Sequence, residues 1–420
     1  MARPTLRSTR AALTVAAIIV MASAGCGLNS NSSSPGTGQS GHASDVPLTF
    51  GASLPLTGPF AEFGKAARGG YETWAAEVNS HGGILGRQVK LVTKDDASDQ
   101  NTAVADYNAL LYSDHVDFVL GTYSSLLVGP TSAIAEKAGK VFITPTGGAP
   151  ALFQRGFKML FLTQQATAIG IGNVFAKYIL GLPAADRPKA AAYPVLNDPF
   201  QIPTIDNVRK QLEATGIKTV YRTVYASDTQ NFDSIASQIK STGADLVVQG
   251  AGFDDAVGMT RSLIKLGASP RILYQASGPD TGTAYGNAVG TANTNGVFFS
   301  TTWSELASTP GNTEFLARFH KLFPGETPKE DAADAYVAGQ VLQTAIAAVG
   351  ASGVTDQSKI ADWLRKNKVT TIIGPLEWNA DGSPKGDELL GQWQNNVIQI
   401  VKPDIAATTK TIIGTWRSSR

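Results

Sequence analysis

Two short stretches carry residue types able to hold a small polar ligand. Gly121-Thr122-Tyr123-Ser124-Ser125 follows the apolar run Phe118-Val119-Leu120. Thr144-Pro145-Thr146-Gly147-Gly148-Ala149-Pro150 follows Val141-Phe142-Ile143. Runs of Val, Phe and Ile suit buried strands, and Pro145 ends the second. Two glycines and a second proline then force an open turn. One strand end offers the hydroxyls of Ser124 and Ser125. The other offers Thr146 and the N–H groups of Gly147 and Gly148. At the carboxyl edge of a parallel sheet, where ligands of open α/β folds bind, this pairing suits a small polar head such as a carboxylate. An ordinary βα turn is the plainer reading of either stretch alone; together they favour a ligand site.

Other chemistry finds little support. His42, His81, His115 and His320 are scattered, and none stands at metal-ligand spacing from a second His or Cys. Ser124 and Ser125 lie outside any G-x-S-x-G elbow. Asp95 and Asp96 are adjacent at a strand end, where neighbouring side chains point apart, and read as a turn feature. Gly64 to Gly70 lacks G-x-G-x-x-G. No catalytic residue, metal site or cofactor is therefore expected. Lys and Arg number 35 against 34 Asp and Glu. Without a basic excess, nucleic acid is not an expected partner.

The elements that must position these stretches alternate regularly. Leu48 to Leu54 reads as a strand, broken by Pro55-Leu56-Thr57-Gly58-Pro59. A helix over 61–80 carries Ala67, Tyr71, Trp74, Ala75 and Val78 on one face and stops at His81-Gly82-Gly83. Strands 89–93, 117–120 and 141–145 alternate with helices, one of them striped by Val104, Tyr107, Leu110 and Leu111. Such alternation means parallel βαβ units. Phe157 to Thr163 starts a change of lobe. A second series follows, with helices at 166–181, 203–215, 230–242 and 255–266 and strands at 189–193, 219–225, 245–250, 271–275 and 297–299. Helices over 311–323, 329–349 and 356–367 come next. Pro375 to Trp378, Gly391 to Val401 and Thr411 to Trp416 alternate as antiparallel strands do, with Asp381-Gly382 as a turn.

The start of the chain has a different character. Arg3, Arg7 and Arg10 precede an apolar run from Ala11 to Ala24, which ends Ser23-Ala24-Gly25-Cys26. This resembles a bacterial lipoprotein signal with Cys26 as the lipidated residue, although Ser23 stands where a larger apolar residue is usual. A plain secretion signal that happens to contain cysteine is the other reading. Cys26 is the only cysteine of the 420 residues, so no disulfide can form within the chain. Residues 27–45 are rich in Ser, Gly and Asn and read as a flexible tether. About 375 residues remain, more than one hydrophobic core holds, which implies two lobes. No further long apolar stretch follows, so the body is expected to be soluble and extracytoplasmic.

Taken together, these residues are similar to a known family. The chain resembles the periplasmic binding proteins of branched-chain amino acid ABC transporters, over nearly all of 46–400. The most specific stretch is Glu77-Val-Asn-Ser-His-Gly-Gly-Ile-Leu-Gly-Arg-Gln-Val-Lys-Leu91, followed by Asp95-Asp96. Pro55-Leu-Thr-Gly-Pro59, Ile143-Thr-Pro145, Phe232-Asp-Ser-Ile-Ala-Ser-Gln-Ile-Lys240 before Gly243-Ala-Asp245, Tyr336 and Gly374-Pro-Leu-Glu-Trp378 fit as well.

The resemblance implies an α/β fold of two doubly wound parallel-sheet lobes joined by three crossovers, the ligand lying between them. Lobe 1 would be 46–163 plus 302–385, and lobe 2 would be 164–301 plus 386–420. Ser125 matches the serine that holds the ligand carboxylate, with Ser124 beside it. Thr146 and Gly148, flanking Gly147, match the pair that bind the head group; the family has threonine where Gly148 stands. Phe63 and Phe200 replace tyrosines, and Gly252 falls where a third would be. The acid that pairs the ligand ammonium should fall near Ser277-Gly278-Pro279-Asp280, where Asp280 is the only candidate. Trp303, past the second crossover, offers an aromatic face or packs the hinge. Phe63 and Phe200 as core, and Asp280 as an N-cap before Thr281, are the plainer alternatives.

These departures imply a small, largely apolar or aromatic ligand with a carboxylate or amide head. Because a buried ammonium needs a partner, the expected ligand lacks that charge. Leucine-like binding with Asp280 as counter-charge is the competing expectation. The implied function is a lipid-anchored, monomeric receptor at the outer face of the cell membrane that delivers its ligand to an ABC permease. A ligand sensor of the same fold, signalling to a partner protein, is the alternative.

Overall fold

The computed structural model describes residues 46–417. Cys26, the signal-like segment 1–26 and the tether 27–45 lie outside the described residues.

The first lobe is built on five parallel strands in the order β2-β1-β3-β4-β5. These are β1 (Leu48–Leu54), β2 (Val89–Asp95), β3 (Phe118–Leu120), β4 (Phe142–Thr144) and β5 (Leu160–Leu162). Helices α1 (Ala61–Ser80), α2 (Gln100–Tyr112), α3 (Ser125–Lys137) and the single turn α4 (Pro150–Phe153) connect them. β1, β3 and β4 are buried along nearly their whole length because helices cover both faces of the sheet. The edge strand β2 is largely half-exposed.

The second lobe carries α5 (Asn173–Gly181), β6 (Ala190–Leu196), α6 (Gln201–Glu213), β7 (Lys218–Tyr225), α7 (Asp233–Thr242), β8 (Leu246–Gln249), α8 (Phe253–Leu266) and β9 (Ile272–Gln275). After a 3₁₀ turn at Pro279–Thr281 come α9 (Thr283–Val289) and β10 (Phe298–Thr301). The chain then returns to the first lobe for α10 (Asn312–Leu322), α11 (Glu330–Val349), α12 (Ala351–Thr355), α13 (Ser358–Leu364) and the hairpin of β11 (Val369–Thr371) with β12 (Gly374–Leu376). Finally β13 (Leu389–Gln394) and β14 (Val397–Lys402) add antiparallel strands to the second sheet, whose order is β14-β13-β10-β9-β8-β6-β7. Asn395 and Asn396, at φ 50° and 67°, make their turn, since Asn tolerates the left-handed region a two-residue hairpin needs.

The buried cores follow this division. Around the first sheet, Phe50, Trp74, Phe118 and Phe161 pack with Trp303, Phe315, Val341 and Trp378. Around the second, Leu246, Tyr274 and Phe298 pack with Leu390 and Val401. Crossover segments meet at Gln165, whose Nε2 donates to the carbonyls of Thr302 (2.8 Å) and Ile373 (3.2 Å).

Two expected elements differ. The helix expected over 166–181 begins only at Asn173, because Gly172 at φ 79° sets its start and the preceding residues turn. Thr411 to Trp416 is not a strand. Its backbone pairs with glutamine side chains of β13: Gln392 Nε2 donates to Ile413 O (2.8 Å) and Gln394 Nε2 to Thr411 O (2.7 Å). The buried Trp416 ring then anchors it, donating to Asn293 O at 2.9 Å.

Candidate functional site

The carboxyl ends of β3 and β4 face those of β6, β8 and β9 across a cleft that encloses about 80 Å³. In each sheet this is where strand order reverses, at β1 and β6, the position at which open α/β sheets bind ligands.

The first-lobe wall is the pair of loops singled out by their hydroxyls and glycines. Ser124 sits at φ 72°, left-handed for a residue with a side chain, and its Oγ caps α3 by accepting from the Leu126 N–H (3.2 Å). Its own N–H donates to Thr146 Oγ1 (3.1 Å), and that hydroxyl donates to Thr122 O (3.2 Å). The Thr146 hydroxyl therefore fastens the two loops together. Ser125 Oγ accepts from the Ala149 N–H (3.0 Å) and keeps its proton for another acceptor. Ser124, Ser125, Thr146 and Gly147 all line the cleft, at the amino-terminal end of a thirteen-residue helix that favours negative charge.

An aromatic wall closes one side. Phe63 stacks on Tyr123 with ring centres 4.4 Å apart and planes 3° from parallel, and Phe60 lies 5.5 Å from the same ring. Phe200, the residue before α6, lines the cavity from the second lobe. Gly148 lies beneath it and is not itself a lining residue: a β-carbon there would stand 3.1 Å from Phe200 Cε2. Gly148 O accepts from the Ala168 N–H at 2.8 Å. Gly252, preceding α8, also lines the cavity.

Trp303 is elsewhere. Its ring packs edge-on to Phe315 and its Nε1 donates to Asn312 Oδ1 (2.7 Å). It borders a neighbouring cavity of about 160 Å³, which shares only Asp280 and Glu330 with the cleft.

The acid content of the cleft reverses the expectation of a site without a firm carboxylate. Asp280 lines it from the 3₁₀ turn, where Gly278 rather than Asp280 is the N-cap. It is joined by Asp198 before α6, Glu330 and Asp331 at the start of α11, and Glu388 before β13. Asp331 and Glu388 are 6 % and 4 % exposed. None of the described lining residues is Lys, Arg or His. The nearby Lys329 ammonium is held by Glu62 at 2.7 Å. Behind them the wholly buried Asp334 accepts from Thr302 Oγ1 (2.6 Å) and Gln164 Nε2 (3.0 Å).

Burial, then mutual repulsion, sets the protonation of this group. Burial pushes the Asp280 carboxyl up to about 6 and Asp334 up to about 7. Burial, followed by the charges of Asp280 and Asp334, holds Glu330 and Asp331 well above the usual carboxylate range. Glu388 is raised by burial and then by Asp334 and Asp280. The Tyr123 hydroxyl is also raised, first by burial and then by Asp331, Asp280, Asp198 and Glu330.

Sequence reasoning found Ser124, Ser125, Thr146, Gly147, Phe63, Phe200, Gly252 and Asp280, which the fold brings together. It missed the four other acids. Glu330 and Asp331 read as ordinary first-turn carboxylates of a helix. Asp198 reads as a turn residue, and it does accept from the Phe200 (2.7 Å) and Gln201 (3.0 Å) N–H groups.

The sequence matches a family described as "Periplasmic binding protein" over residues 47–396. It is 28 % identical over 353 residues to an amino acid binding protein of Pseudomonas aeruginosa, covering 83 % of this chain and 90 % of that one. It is 26 % identical over 347 residues to the Leu/Ile/Val-binding protein of Escherichia coli, covering 81 % and 89 %. Among solved structures, a solute binding protein of an R. palustris ABC transporter, in complex with benzoate, shares the fold. Its TM-score is 0.75 at 21 % identity, covering 88 % of this chain and 99 % of that one. A leucine binding protein from Thermotoga maritima gives 0.73 at 21 % identity, covering 84 % and 97 %.

Proposed function

The chain belongs to the periplasmic binding protein family, and we propose that it is the solute receptor of an ABC transporter. In this reading it takes up a small amino acid or related carboxylate or amide in the cleft and hands it to a permease. The observation that carries it is the cavity at the facing carboxyl ends of two sheets, lined by Ser125 on one lobe and Asp280 on the other. A helix amino terminus with a free hydroxyl proton suits a carboxylate, and an acid opposite suits a nitrogen centre. Relatives that bind amino acids support the reading.

The proposed action is binding and release, without a catalytic step. The moving bodies are 46–163 with 302–385 and 164–301 with 386–420, a division that the two cores support. We propose further that the chain works as a monomer held at the outer face of the membrane through lipid on Cys26, the residues before it serving as signal and 27–45 as tether. Such an anchor favours delivery to a permease over the sensor alternative.

A thermal-shift panel of amino acids, amides and aromatic acids tests the receptor reading, because a ligand that binds only the folded chain raises its midpoint by mass action. At least one small solute raising Tm in a saturable way is the expected result. A panel without any saturable shift speaks against it.

A further inference from the structure

The cleft has a one-sided hydrogen-bonding character. Five residues that line it each carry a deeply buried side-chain oxygen without a well-formed hydrogen bond among the described residues: Gln164 Oε1, Gln201 Oε1, Asp280 Oδ1, Glu330 Oε2 and Asp331 Oδ2. All are acceptors. The amide orientations are fixed from the other side, since Gln164 Nε2 donates to Asp334 and Gln201 Nε2 to Ala251 O (3.0 Å). Asp331 is 94 % buried by the complement of its 6 % exposure, so its orphaned oxygen has little solvent to turn to. Leaving such groups without donors is costly, and a ligand relieves that cost only by bringing donors.

Charge points the same way. Asp280, Glu330, Asp331 and Glu388 converge from a turn, a helix start and a crossover, with Asp198 and Asp334 beside them. Lys329, the cation that acts on Asp280 and Asp331, is tied to Glu62. A single α-ammonium leaves most of these acids unanswered. A metal ion does not fit: among the described residues, no three acidic, His or Cys side chains are grouped to hold one. The charge to be matched is spread along the cavity, as on an organic molecule with two cationic centres. Phe60, Phe63 and Tyr123 add ring faces that attract such centres. At the opposite end, the start of α3 and the Ser125 hydroxyl remain suited to a carboxylate.

Building on the receptor reading, we propose that the ligand is a dibasic amino acid. Its carboxylate lies at Ser125 and Gly147, its α-ammonium and side-chain cation on the acids of Asp280, Glu330 and Asp331. An ammonium brings three donors and a guanidinium five, a supply suited to a wall of several acids. Burial raises these carboxyls, and a cation placed on them favours their ionised form, so net proton release is expected as the ligand enters.

Calorimetric titration of the full chain with L-arginine, L-lysine and L-ornithine, beside L-leucine and benzoate, tests this. A dibasic probe should bind at least about a hundredfold more tightly than leucine, equivalent to about 2.7 kcal/mol. Repeating the titration in two buffers of different ionisation enthalpy near pH 6.5 should reveal net proton release, which a merely structural role for the acids does not produce. Asp331→Asn and, separately, Glu388→Gln should each weaken the dibasic probe at least about tenfold and reduce the protons released. Tighter binding of leucine or benzoate than of every dibasic probe overturns the charge assignment and leaves the receptor reading standing. Absence of binding by all three dibasic probes overturns it as well, and the broad thermal-shift panel then decides the receptor reading on its own.

Discussion

Gly148 and Phe200 meet across the cleft: a β-carbon at Gly148 would stand 3.1 Å from the Phe200 ring and 3.2 Å from the Ala168 nitrogen. A threonine at 148 needs space that the phenylalanine fills. Gly148→Thr is expected to weaken ligand binding by about 1–3 kcal/mol through overpacking of the closed cleft. Gly148→Thr with Phe200→Ala should recover part of that loss. Equal affinities for wild type and Gly148→Thr in calorimetry would show that the contact does not govern closure.

Ser125 lines the cavity, and its Oγ accepts from the Ala149 N–H. Ser125→Ala removes a partner from each, and a cost of about 1–3 kcal/mol in affinity is expected. An unchanged dissociation constant would remove Ser125 from the head-group site.

The acids make a prediction about pH. Asp280 and Asp334 titrate near 6 and 7 in the folded chain, and Glu330, Asp331 and Glu388 are raised as well. A raised acid binds more protons folded than unfolded, so its contribution to stability is complete below the unfolded value, about 4. That contribution is lost as pH rises through the folded value. Asp96 and Asp255, raised by burial to about 6, add to the same slope from outside this cluster or at its edge. Asp95 and Glu62, whose values are lowered, act at lower pH. The unliganded chain should therefore lose thermal stability between about pH 5 and pH 8, and Asp331→Asn should lose less. A midpoint that rises over this range in wild type, or an identical slope in the variant, contradicts the account.

Much of this was legible in the sequence, and the illegible part has a physical explanation. The strand–loop pairs ending at Ser125 and Gly148 stand out because apolar runs, proline and glycine mark strand ends locally. Helix α1 was readable to its ends from its stripe and its His81-Gly82-Gly83 stop. The acidic wall was not readable. Of its acids only Asp280 was singled out; Asp198, Glu330 with Asp331, and Glu388 are far apart in the chain, and Asp198, Glu330 and Asp331 each have a sufficient local explanation as a turn or helix-start residue. Only the crossovers bring them together. Trp303 misled for a related reason: it follows β10 closely in the chain, but its ring turns into the first core against Phe315. The tail from Thr411 to Trp416 alternates like a strand, yet glutamines of β13 take its backbone partners.

Anchoring has its own test. If Cys26 carries lipid, Cys26→Ser should move the chain from the membrane to the soluble fraction and remove the lipid mass. A membrane-bound variant of unchanged mass would show that another feature holds it.

The central claim is that a small solute bridges the two lobes at this cleft, and small-angle scattering measures that directly. The chain should be examined alone and saturated with the panel compound that raises its melting midpoint most. The account predicts a free chain more extended than the liganded one, with a contraction on saturation as Ser125 and Asp280 are drawn onto one ligand. Scattering curves that superpose with and without a compound that raises the midpoint would place binding outside the hinged cleft and contradict it.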